Sequence, residues 1–136
     1  MPLAPIRIAS ADLAAIRAQA RAAMPLEACG LLIGTEDDRV SRLEPASNVA
    51  AEPARRFEVD PRALLALHRR LRGTPERLIG HWHSHPQGQA VPSACDREMV
   101  SDPDMAWLIV AAPDGPVRAW RPTDDGFAEI PILEVP

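Results

Sequence analysis

One run constrains this chain more than any other: Leu78-Ile79-Gly80-His81-Trp82-His83-Ser84-His85-Pro86. Side chains at i and i+2 of a strand point to one face, so His83 and His85 can converge on one point. Eleven residues after His85, in Pro92-Ser93-Ala94-Cys95-Asp96, comes a carboxylate that a turn can return to the same point. Two imidazoles and one carboxylate form a three-ligand zinc set. Three protein ligands rather than four leave a position for water, which is the pattern of a catalytic site. On these residues alone the chain reads as a zinc hydrolase.

Size and composition permit this. The 136 residues suit a single domain over 1–136, and 46% apolar with 25% charged residues is ordinary for a globular protein. A formal net charge of −4 with interspersed signs argues against a nucleic-acid partner and against anionic membrane surfaces. No window approaches the ~18 apolar residues of a membrane span. The first residues lack the basic and apolar regions of a signal peptide, so a cytoplasmic location is expected. Cys29 and Cys95 do not make a disulfide framework and read as two reduced thiols in packed positions. Cys95 beside Asp96 is a weaker ligand candidate, because thiolate sites usually pair their cysteines.

Along the chain, Pro5 to Ile8 reads as a strand and Ser10 as the cap of a helix to Ala23, stopped by Met24-Pro25. Glu27 to Gly34 is an apolar run suited to a strand buried on both faces. Val40 to Pro45 follows as a strand, Asn48 to Arg56 as an irregular polar segment, and Phe57 to Val59 as a short extended piece. Asp60-Pro61 opens a helix ended by Gly73. Leu78 to Ser84 delivers the histidines, and Ser93 starts a helix to about Ser101. Ala106–Ala112, Val117–Arg121 and Phe127–Leu133 read as closing strands separated by turns. Helices alternating with strands, then hairpins, give an α/β or α+β domain with a mixed sheet.

Glu27 is the anomaly of its segment. A carboxylate at the head of an apolar run costs free energy unless it has a partner, and water activated at the metal would be one. Burial would raise its pKa, which suits a general base that passes a proton to the leaving amine. Ser93-x-x-Asp96 is also a helix-start pattern, and both readings can hold together. His81 shares the face of His83 and His85 by parity and is a weaker candidate ligand. His68, Trp82, Trp107 and Trp120 read as packing or surface residues.

Together, Pro25-Leu26-Glu27-Ala28-Cys29-Gly30, Gly80 to Pro86 and Pro92 to Asp96 resemble the JAMM (MPN+) metalloprotease family, in its compact bacterial form. Asn48 and Phe57 to Pro61 add to the likeness. The resemblance implies a curved mixed β-sheet flanked by helices, similar to the cytidine-deaminase architecture. It implies one Zn2+ per chain on His83, His85 and Asp96, Glu27 as general acid/base, and Ser93 stabilising the oxyanion. Ser84 would have a supporting role, pointing away from the metal. The implied substrate is a ubiquitin-like or sulfur-carrier protein cut after its C-terminal Gly-Gly. On that reading Asn48 to Arg56 borders the substrate groove. Three other readings stand beside it. A non-catalytic module binding a ubiquitin-like partner would need no turnover. A nucleoside deaminase would want His-x-Glu and Pro-Cys-x-x-Cys. A structural zinc site would normally show four protein ligands.

Overall fold

The computed structural model describes residues 4–35 and 38–136. In chain order its elements are β1 (Ile6–Ala9), α1 (Ser10–Ala23), β2 (Cys29–Gly34), β3 (Val40–Ala46), α2 (Pro61–Leu71), β4 (Arg77–His85), α3 (Ala94–Glu98), β5 (Ala106–Ala111), β6 (Val117–Thr123), β7 (Gly126–Ile130) and β8 (Ile132–Val135). Six strands form one mixed sheet in the order β3-β2-β4-β5-β6-β7, and β1 pairs with β8 in a small parallel sheet. Within the large sheet only β4 and β5 run parallel, and their crossover carries α3. The mixed α+β architecture agrees with the sequence reading.

The sheet is covered on both faces, which explains why its central strands are continuously apolar. On one face Leu13, Ile16 and Ala20 of α1 join Ile6, Ile8, Leu32, Trp82 and Leu108. On the other, Leu67 and Leu71 of α2 pack on Leu31, Ile33 and Leu78. Each such side chain contributes about 1.5–3 kcal/mol when fully buried. Trp82, 1% exposed, lies across Gly30 of the neighbouring strand, where any side chain would collide with the indole. The strand that presents the histidines is therefore fixed from behind by its own tryptophan.

Most strand ends shift by a residue or two from the sequence reading, and four differences change how an element is built. Ala9, not Ser10, occupies the cap of α1, and the Ser10 hydroxyl instead donates to the Val135 carbonyl at 3.3 Å. The pairing of β1 with β8 pulls the helix start back by one residue. Ordered ladder pairing in β2 begins at Cys29, so Glu27 precedes the strand rather than heading it. α3 is five residues long and does not reach Ser101; Val100 turns inward onto the Trp107 cluster and leaves the helix axis. The strand expected over Phe127–Leu133 is two strands, because Pro131 has no N–H to continue the ladder; β7 pairs with β6 and β8 with β1. The expected cap of α2 holds: the Asp60 carboxylate accepts from the Arg62 N–H at 2.9 Å, with Pro61 in the first turn.

Candidate metal and catalytic site

The site forms at the C-terminal end of β4. Cys29 lies opposite His83 in the ladder, which places Glu27 just beyond the strand end and next to the histidine pair. Ser84 points the other way, as parity requires, and its buried hydroxyl accepts from the Ala28 N–H at 2.8 Å. The Ser84 N–H in turn donates to the Ala28 carbonyl at 3.0 Å. These two bonds extend the β2–β4 pairing to the residue after Glu27 and hold its backbone against β4.

Asp96 arrives from α3. Its carboxylate accepts from the Ser93 N–H at 2.9 Å, while its own N–H donates to the Ser93 hydroxyl at 3.1 Å. This reciprocal cap fixes both residues and leaves the Ser93 hydroxyl hydrogen free to donate elsewhere. The carboxylate of Asp96 also faces the histidines. His83 Nε2 lies 3.1 Å from Asp96 Oδ1 and 3.2 Å from Oδ2. His85 Nε2 lies 3.1 Å from Asp96 Oδ2, and the two Nε2 atoms are 3.1 Å apart.

That triangle fits a tetrahedral cation. Ligands held about 2.0 Å from zinc stand about 3.3 Å from one another. Two ring nitrogens facing each other at this range cannot both carry a proton, and two lone pairs there repel unless a positive centre lies between them. Glu27, His83 and His85 each offer an atom within 4.8 Å of the others. Glu27 is 7% exposed, and its Oε1 is buried without any hydrogen-bond partner. The residues thus supply two imidazoles and a carboxylate at ligand spacing, with a further unsatisfied carboxylate alongside.

The protonation states follow from burial and contact. Burial pushes the Glu27 carboxyl up to about 7, with the neighbouring His85 opposing and Asp96 adding to the rise. Burial is also the largest influence on Asp96, but its close contacts with the two histidines outweigh it and hold the carboxyl below its usual range. His83, wholly enclosed, is pushed down by burial, although Asp96 opposes this. His85 is pulled down by burial and raised further by Asp96 and by the Gln89 carbonyl, which accepts from Nδ1 at 2.7 Å; the net shift is upward. Burial, and then the Glu27 charge, push the Cys29 thiol up to about 11, so it stays protonated and inert. Both cysteines are free.

His81 stands apart from the triangle. Its ring centroid is 6.4 Å from that of His83 and 4.3 Å from that of Trp107, and burial pushes its pKa down to about 3. It is a neutral aromatic wall rather than part of the converging set. Trp107 packs in the core as expected and also flanks His83 at 5.8 Å. The Trp120 indole donates to the Ala90 carbonyl at 3.0 Å and pins the loop after His85.

Two contributors carry no chemical signature in the sequence. The Phe57 ring stacks on His83 at 4.3 Å and 19°. Because His83 Nδ1 has no hydrogen-bond partner, packing against Phe57 and Trp107 sets the ring's orientation. Asn48 organises the irregular segment: its amide donates to the carbonyls of Glu27 (2.9 Å) and Arg56 (3.0 Å), and its oxygen accepts from the N–H of Ala50 and Glu58. The Glu27 N–H donates to the Pro53 carbonyl at 2.8 Å. The segment 48–56 therefore adjoins Glu27 directly, while Arg55 and Arg56 remain exposed. Residue type alone shows such an asparagine only as a polar residue amid irregular chain; the family likeness is what singles out Asn48 and Phe57.

A family model described as prokaryotic homologs of the JAB domain matches residues 10–123. Over 109 residues the chain is 40% identical to a desampylase of Haloferax volcanii, covering 79% of this chain and 78% of that protein. Over 132 residues it is 31% identical to the CysO-cysteine peptidase of Mycobacterium tuberculosis, covering 93% and 90%. The solution structure of a protein from Desulfitobacterium hafniense superposes with a TM-score of 0.83 at 33% identity, covering 96% and 92%. Matched over most of its length by the family model and by relatives above 30% identity, the chain belongs to the prokaryotic JAB-domain family, the compact prokaryotic form of the JAMM/MPN fold.

Proposed function

We propose that this protein is a zinc-dependent peptidase or isopeptidase that cuts after the C-terminal Gly-Gly of a ubiquitin-like or sulfur-carrier protein. The observation that carries the reading is the set of three ligand atoms separated by 3.1–3.2 Å, beside the buried, unpartnered Glu27 carboxyl. Relatives named desampylase and CysO-cysteine peptidase support the substrate class. His83, His85 and Asp96 would hold one zinc ion per chain. When bound, zinc polarises the scissile carbonyl and lowers the pKa of water to about 7.

The chain's own groups supply the rest. Glu27, a buried carboxyl with no competing hydrogen-bond partner at Oε1, takes the proton of the attacking water and delivers it to the leaving amine. The Ser93 hydroxyl, whose oxygen is occupied by the α3 cap, donates its hydrogen to the developing oxyanion. Phe57 and Asn48 hold His83 and Glu27 in place. We read residues 1–136 as one domain working in the cytoplasm. Among the described residues no helix is long and apolar enough to cross a membrane.

The test is incubation of the zinc-loaded protein with Gly-Gly-ended carrier proteins, each extended by a C-terminal residue or joined to a lysine, followed by mass spectrometry. Trimming back to Gly-Gly is expected. Glu27→Gln should retain the metal and lose about 10²–10⁴ in turnover. Undiminished turnover by that variant would remove Glu27 from its role.

A further inference from the structure

We infer that the protein reads its substrate tail at a second point, through a cavity of about 330 Å3 beside the histidine face that receives an arginine or lysine side chain. The inference rests on the proposed cleavage of an extended tail. The cavity lies between α2 and the segment that follows α3. Its floor is Leu31, Leu78, His81 and Trp107, and its sides include Leu64 and Met105. At the end nearest the metal site it is bounded by Phe57, the residue stacked on His83. It therefore adjoins the metal site across the Phe57 ring and is displaced from it along β4.

The charge of the opening is one-sided. Glu58 and Asp102 stand exposed at the cavity, and among the described residues no arginine lines it. Among the described residues neither carboxylate is engaged in an ion pair, although other surface carboxylates of this chain are. His68 is the other titratable group at the rim. A long basic side chain matches this construction. Its methylene stem lies along the leucines, and the charged head stays at the wet rim beside both carboxylates. A leucine would fill the floor and leave the carboxylates unused; a glutamate would meet two like charges.

An extended chain advances about 3.3 Å per residue, so the third and fourth residues, counting the glycine at the scissile bond as first, lie roughly 7–10 Å from the reacting carbonyl. That span passes the Phe57–His83 stack and reaches the wall formed by His81, whose ring is a further 6.4 Å from that of His83. The basic residue thus belongs at the third or fourth position of the tail.

The experiment uses peptides ending in Gly-Gly with arginine, citrulline, leucine or glutamate at the third or fourth position, titrated into the zinc-loaded protein while the Trp107 indole N–H is followed by NMR. Arginine should bind about tenfold more tightly than its neutral isostere citrulline, with the advantage shrinking as salt is added. The double variant Glu58→Gln/Asp102→Asn should erase the difference. Its amide oxygen at position 102 can still accept from the Asp104 N–H, as the Asp102 carboxylate does at 2.9 Å. Carrier fusions bearing the same residues should differ in KM with kcat unchanged. Equal binding of arginine and citrulline, or a preference for leucine that the double variant leaves intact, would overturn the inference. An arginine preference at Trp107 without cleavage of any fusion would uphold the cavity and sink the hydrolase reading instead.

Discussion

At the scale of single residues, Glu27 gathers the site's tension. Its carboxyl is buried, lacks a partner at Oε1 and sits near His83 and His85. In the metal-free protein its pKa of about 7 lies above the ordinary value of 4.5. The folded state then binds the proton more tightly than the unfolded chain does. The associated stability is complete below pH 4.5 and is lost as pH rises through 7. Glutamine mimics the protonated carboxyl at every pH. The melting temperatures of Glu27→Gln and the parent, both stripped of metal, should therefore coincide near pH 4 and separate in the variant's favour towards pH 8. Thermal denaturation across that range checks the sign, and parallel curves would mean that Glu27 titrates normally.

At the scale of elements, the site depends on how β2 and β4 are joined at their ends. The ladder pairs Cys29 with His83, and the Ser84 hydroxyl continues it by capturing the Ala28 N–H. Ser84→Ala would leave that N–H unsatisfied in a buried place, a loss of about 1–3 kcal/mol. Urea unfolding should show the midpoint shift with an unchanged slope, and a variant as stable as the parent would mean that the N–H finds another acceptor. The short α3 works differently. Its reciprocal cap ties the Asp96 carboxylate to the Ser93 N–H and so aims it at the imidazoles.

At the scale of the whole molecule, the site joins four separate stretches: the segment before β2, the loop 48–57, the end of β4 and the start of α3. A cation bound there ties them together, so it should stabilise the fold by mass action. At 100-fold excess over its Kd the gain is about 2.7 kcal/mol. Chelation should lower the melting temperature and zinc should restore it, whereas His83→Ala should melt at one temperature with or without chelator. A parent protein indifferent to chelation would show that the triangle holds no ion. Much of this was legible beforehand. His83 and His85 share a face because strands alternate, and Ser93-x-x-Asp96 caps a helix because that pattern satisfies two N–H groups. What tertiary structure alone decided lies where a contact has no local cause. β8 leaves the large sheet to pair with β1, α3 ends early as Val100 joins the Trp107 cluster, and Phe57 stacks on His83 from a segment that packs on Cys29 and Trp107. Local sequence determines which atoms a strand or cap can present; which distant atoms meet them depends on the burial of the whole core.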